Sequence, residues 1–174
     1  MTDSVLYDII FIYNNVISYM KEGSFVKIAI GCDEAGCGLK HIIIDLLQKE
    51  GIEVTDEGCR DDEVVLYPNI AERVANIVAD GAADRGILIC GTGIGMAMAA
   101  NKVKGIRAAV CHDPFSTERS RKSNDAQIMC MGARVIGPEL AKMLVKLWLT
   151  CDFAGGGSAP KVEAIKQMEE KYFK

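Results

Sequence analysis

From residue 26 onward, short apolar runs alternate with amphipathic stretches. Residues 26–32 (VKIAIGC) are rich in β-branched side chains, which predicts a strand. Leu39, Ile42, Ile43, Leu46 and Leu47 recur at helical spacing over 39–50, and Gly51 follows where a C-terminal cap glycine belongs. A second short strand is expected over 52–56. Tyr67-Pro68 opens a helix running to residue 80, with the proline in the first turn, where its missing N–H costs nothing. Residues 86–90 (GILIC) are almost wholly apolar and read as a strand buried on both faces. The glycine-rich 91–95 follows at once, then a helical stretch over 96–101. Strands are expected over 106–111 and 126–131, and helices over 114–123 and 138–150. After the link Gly155-Gly156-Gly157-Ser158, a last helix reaches Tyr172.

This alternation predicts right-handed βαβ units and an α/β sandwich whose roughly five parallel strands are covered on both faces. No repeat or second domain is visible, so 26–174 reads as one domain. Residues 1–25 read as an appendage, a surface or interface helix. Its apolar stretch 6–20 is interrupted by Asp8, Asn14 and Asn15. It is too short and polar to span a bilayer, and no basic run marks a signal peptide.

Composition narrows the class. A chain of 174 residues, 49% apolar and 25% charged, has room for a real core. Its net charge of −4 argues against a nucleic-acid surface, which needs clustered Lys and Arg. The seven cysteines are odd in number, and several lie in apolar runs. They read as reduced thiols acting as small hydrophobes in a cytoplasmic protein.

Ligands of such sheets bind beyond the carboxyl ends of the strands, near a switch in strand order. Four loops are candidates: 33–38, 90–95, 112–113 and Asn124-Asp125 before the fifth strand. Closely spaced Gly91, Gly93 and Gly95 let backbone N–H groups approach an anion, a phosphate or a developing enediolate. Cys90 lies at a strand end beside a helix start, a setting that favours thiolate. A buried inert cysteine fits the same spacing. A dinucleotide loop is a further alternative, with Asp113 as the ribose acid, but Met96 stands where the third glycine of that motif belongs. Asp33 and Glu34 are adjacent acids, either helix-capping or a pair whose repulsion raises one pKa for proton transfer. His112, at a strand end, is the better acid–base candidate of the two histidines.

The stretch GILICGTGIGMAMAANKVKGIRAAV over 86–110, with SNDA over 123–126 and GARVIG over 132–137, resembles the ribose-5-phosphate isomerase B and galactose-6-phosphate isomerase family. The likeness runs from about residue 26 to the end. It implies a Rossmann-like three-layer α/β/α fold with a five-stranded parallel sheet. It also implies a cytoplasmic aldose–ketose isomerase of phosphorylated sugars that uses neither cofactor nor metal. Such enzymes form homodimers or homotetramers with shared active sites, and no nucleic acid or membrane partner is implied. By the resemblance, Cys90 carries the proton between C1 and C2, Thr92 stands beside it, and the amides of 91–95 hold the cis-enediolate. Asp33 and Asn124 hold sugar hydroxyls, Tyr67 lines the pocket and Arg134 binds phosphate.

The chain departs from the family pattern in three ways. Glu34 replaces the histidine after Asp33, and Ser123 replaces the ring-opening histidine before Asn124. Gly157, Ser158 and Lys161 stand where a clamp of arginines and a histidine usually grips the phosphate. Either His112 opens the sugar ring or the substrate does not cyclise, as in a tetrose 4-phosphate, whose ring-closing oxygen is esterified. The stretch 109–127 most resembles the family branch that interconverts erythrulose 4-phosphate and erythrose 4-phosphate. Ribose 5-phosphate and ribulose 5-phosphate remain the other substrate pair. The alternatives of another class are an inactive sugar-phosphate or nucleotide binding module and, more weakly, a dinucleotide oxidoreductase.

Overall fold

The computed structural model describes residues 26–60 and 63–173; the appendage expected over 1–25 lies outside the described residues. The described residues form five strands: β1 (Lys27–Cys32), β2 (Glu53–Asp56), β3 (Arg85–Cys90), β4 (Ala108–Val110) and β5 (Ile128–Gly132). All pair in parallel, in the order β2-β1-β3-β5-β4. The helices are α1 (Cys37–Lys49), α2 (Tyr67–Ala79), α3 (Ile94–Ala100), α4 (Pro114–Lys122), α5 (Pro138–Leu149) and α6 (Ala159–Tyr172). A 3₁₀ turn at Gly156–Ser158 leads into α6.

Alternate residues of each strand feed opposite faces, so the central strands need apolar side chains throughout. One face packs Ile28, Ile30, Ile87, Ile89, Met129 and Met131 against α1 and α5, with Trp148 fully buried. The other packs Ala29, Leu88, Cys90, Ile128 and Cys130 against α2 and α3. The three-layer α/β/α sandwich with a five-stranded parallel sheet is therefore as expected. Among the described residues, no helix is long and apolar enough to cross a membrane.

Two strands differ from the pattern. The apolar run 106–111 shortens to three paired residues; Ile106 and Cys111 flank them with buried side chains, and the Cys111 N–H still reaches the Cys130 carbonyl at 2.9 Å. β5 starts at Ile128, since the Ala126 N–H bonds back to the Ser120 carbonyl and closes the end of α4. Arg85, buried at the start of β3, donates to the Trp148 and Cys151 carbonyls and caps α5. All seven cysteines are free thiols and buried, and burial pushes the Cys111, Cys130 and Cys151 thiols up.

The strand order sets the position of the site. β2 lies on one side of β1 and β3 on the other, so the chain reverses its winding direction there and leaves a crevice beyond the carboxyl ends. Because β5 inserts between β3 and β4, the outgoing ends of β1, β3 and β5 stand side by side.

Candidate active site

Cys90 ends β3 in register with Gly132 of β5, and its side chain is nearly buried. The Gly93 N–H donates to the Cys90 Sγ at 3.1 Å. A backbone donor aimed at sulfur stabilises negative charge there. Gly93 makes this contact with φ at 75°, and an added Cβ would lie 2.9 Å from the Met131 carbonyl carbon. Only glycine meets both conditions. The Thr92 Oγ1 accepts weakly from the Ile94 N–H at 3.4 Å, which keeps the hydroxyl over the loop. α3 has only seven residues, so the donors that matter are the loop amides themselves.

Two further expected residues pack on this loop. The Arg134 side chain lies along Gly91, where an added Cβ would meet its Cδ, Nε and one terminal nitrogen at 3.6–3.7 Å. The Arg134 N–H also bonds to the Gly91 carbonyl at 3.1 Å. The Tyr67 ring covers Gly95, whose hypothetical Cβ would sit 2.7 Å from two ring carbons. Asp33 continues from β1 with its N–H on the Ile89 carbonyl, and its Oδ1 accepts from the Ala35 N–H at 3.1 Å. Burial first, then the neighbouring Glu34 charge, raises its pKa; Ala35, Gly36 and Arg134 oppose this. Glu34 itself is exposed.

His112 has a partner that spacing did not reveal. Its Nε2 accepts from the Gly132 N–H at 2.9 Å. Gly132 in turn lies against Thr92, since an added Cβ would come within 2.7 Å of the Thr92 Cα. His112 thus supports the end of β5 on which the glycine loop rests, and Nε2 must be unprotonated to do so. Burial lowers its pKa, with Asp113 opposing. Asp113 caps α4 through the Ser116 N–H at 2.8 Å, a task that accounts for this acid without a bound ribose.

The sign of the pH dependence follows. The folded value of His112 is depressed, so the unfolded chain binds the proton more readily. The contribution is complete above the ordinary value of 6.5 and is lost as pH falls toward the folded value. His112→Ala leaves the Gly132 N–H without its acceptor, so a loss of about 1–3 kcal/mol is expected near neutrality. Urea unfolding from pH 5 to 8 should show the variant's stability falling less on acidification; parallel curves would contradict this.

One expected location is corrected. Asn124 precedes β5, and in a parallel sheet the loop entering a strand lies at the amino edge, away from Cys90. Its carbonyl accepts from Arg107 Nε at 3.3 Å, and Arg107 immediately precedes β4. Lys161 is exposed on α6. Glu169 of that helix accepts from the Gly105 N–H at the same amino edge. Within one subunit the structure therefore brings together Cys90, Thr92, the glycines 91, 93 and 95, Asp33, Tyr67, Arg134 and, through Gly132, His112. Asn124 and Lys161 are not among them.

This cluster can take a proton at sulfur and hold a neighbouring oxyanion on amides, with an arginine in reach of the loop. A ribose/galactose isomerase family model matches residues 28–165. A ribose-5-P isomerase B of Listeria innocua is 58% identical over 146 residues, 84% of this chain and 99% of the relative. A D-erythrulose-4-phosphate isomerase of Pectobacterium atrosepticum is 54% identical over 147 residues, 84% of this chain and 97% of the relative. The solved ribose-5-phosphate isomerase B of Clostridium thermocellum superposes with a TM-score of 0.83 at 48% identity, covering 84% of this chain and 99% of that one.

Proposed function

This chain belongs to the ribose/galactose isomerase family, an enzyme family, and we propose that it interconverts the aldose and ketose forms of a phosphorylated sugar with Cys90 as the proton carrier. The thiolate takes the proton from C2 of the aldose, leaving a cis-enediolate. The thiol then returns it to C1, while the hydroxyl proton moves between O2 and O1, so the step balances without a redox partner. The observation that carries this reading is the Gly93 N–H on the Cys90 sulfur, inside a glycine loop flanked by Arg134. A pure binding module has no use for a thiol so poised. In this reading Thr92 and the amides of Gly91 and Gly95 face the enediolate oxygens. Asp33 holds a sugar hydroxyl, Tyr67 closes the wall and Arg134 takes the phosphate.

The substrate we infer is a tetrose 4-phosphate, of the erythrulose/erythrose type. Ser123 stands where the family's ring-opening histidine is expected, and the His112 Nε2 is committed to Gly132. A sugar that cannot close a furanose ring needs neither. Initial rates on erythrulose 4-phosphate and ribose 5-phosphate test this. At least about tenfold higher kcat/KM on the tetrose is expected, a difference of roughly 1.4 kcal/mol in barrier. Faster turnover of ribose 5-phosphate that is lost in His112→Ala would overturn it.

We further infer a homodimer with shared sites, working in the cytoplasm. Asn124 and Lys161 lie too far round the sheet to serve Cys90 of their own subunit, so a second copy is the source this reading assigns. Exposed Leu66, Ile94 and Met98 supply apolar surface beside the site, the last two one helical turn apart on α3. Mixing inactive Cys90→Ser with inactive Asn124→Ala subunits should restore about a quarter of the sites in a random dimer population. No recovery after confirmed exchange would contradict the shared site.

A further inference from the structure

Three thiols converge beneath the Asp33 loop, on the face of the sheet opposite Cys90. Cys32 ends β1, Cys37 opens α1 and Cys59 follows β2; all three are buried. Their sulfurs form a triangle with sides of 3.0 Å (Cys37–Cys59), 3.5 Å (Cys32–Cys37) and 3.8 Å (Cys32–Cys59). The segments are tied together by the Cys59 N–H on the Cys32 carbonyl at 3.1 Å. Among the described residues, no other group of three Cys, His, Asp or Glu side chains comes together in this way. Beside them the buried Lys40 Nζ donates to Asp56 Oδ2 at 2.9 Å and to the Cys59 carbonyl at 3.1 Å.

We propose that Cys32, Cys37 and Cys59 form a site for one soft, thiophilic divalent ion of the Zn(II) type, bound as a tris-thiolate. A point about 2.3 Å from all three sulfurs, the usual Zn–S distance, lies roughly 1 Å out of the plane of the triangle. That is the pyramidal arrangement of three tetrahedral ligands. The longest edge already matches the roughly 3.8 Å that such bonds set, and the Cys37–Cys59 edge must widen on binding. Binding breaks three S–H bonds and forms three S–metal bonds, releases three protons and transfers no electrons. Three thiolates and a dication leave one negative charge in the core, beside the Lys40–Asp56 ion pair. A Cys37–Cys59 disulfide would engage only two of the sulfurs and would need an oxidant. The ion touches none of the groups assigned to isomerisation, so its part is to tie β1, α1 and the loop after β2 together.

The test uses the full chain, reduced and freed of metal, titrated with Cd(II) alone and with Zn(II) alone. One Cd(II) per chain is expected, with a thiolate-to-cadmium charge-transfer absorbance and about three protons released per ion. The signal should persist in Cys90→Ser. Cys37→Ala and Cys59→Ala should each weaken binding by at least about 100-fold. Because those substitutions touch the core, X-ray absorption on the Zn(II)-loaded wild-type chain gives a readout without them: three sulfur neighbours at about 2.3 Å. Four results would overturn the site. These are no stoichiometric binding, binding unaffected by both alanine variants, fewer than three sulfurs around zinc, or a Cys37–Cys59 disulfide that resists excess reductant.

Discussion

Cys90→Ser keeps the fold and lowers kcat by about 10³-fold, the middle of the range that a positioned acid–base group supplies. Sulfur and hydroxyl oxygen occupy similar space at the end of β3, so the packing of Cys90 against the α2 and α3 face changes little. What changes is basicity at the operating pH: a serine hydroxyl holds its proton where a thiol can surrender it. The Gly93 N–H lies 3.1 Å from this position, and any thiol is intrinsically far more acidic than an alkyl alcohol. A coupled assay of turnover, with circular dichroism and urea unfolding as controls, checks the expectation. Activity within tenfold of wild type, with folding unchanged, would remove Cys90 from the reaction.

Gly93→Ala is expected to cost about 2–5 kcal/mol of stability, from left-handed strain plus overpacking, and to abolish most activity. Its φ of 75° already penalises any side chain. The new Cβ would also sit 2.9 Å and 3.1 Å from the Met131 carbonyl carbon and nitrogen. Those are backbone atoms of β5, where Met131 is in register with Ile89 of β3, so they cannot step aside as a flexible side chain would. Relief must come from the loop, which carries the donor away from Cys90. Gly105 is the control: its φ is 82°, but nothing lies within 4 Å of an added Cβ, so Gly105→Ala bears the strain of about 1–2 kcal/mol alone. Equal losses at the two positions would show that the contact with β5 does not matter.

Much of this was legible in the chain. GILIC could only be a strand buried on both faces, and its glycine-rich exit had to lie at the carboxyl edge of the sheet. The helical spacing of Leu39, Ile43 and Leu47 gave the buried side of α1. The loop of Asn124 was expected at the ligand-binding edge, although the chain already excluded it, because a residue that enters a parallel strand cannot share the edge of one that leaves it. The role of His112 was hidden for a different reason. Its partner Gly132 lies 20 residues away, and the two meet only because β5 inserts between β3 and β4. The cysteine count was plain, but the meeting of Cys32 with Cys59 depends on the pairing of β1 with β2 and the turn after it. Short-range pattern carries no such register information.

Solvent exchange measures proton transfer at Cys90 directly. Erythrulose 4-phosphate and ribose 5-phosphate are incubated separately in D₂O with the wild-type chain and with Cys90→Ser, and followed by proton NMR. Deuterium is expected at the carbon that gains the proton, arriving together with isomerisation, and both are lost in the variant. Isomerisation or exchange that continues undiminished in a folded Cys90→Ser chain would contradict proton transfer at Cys90.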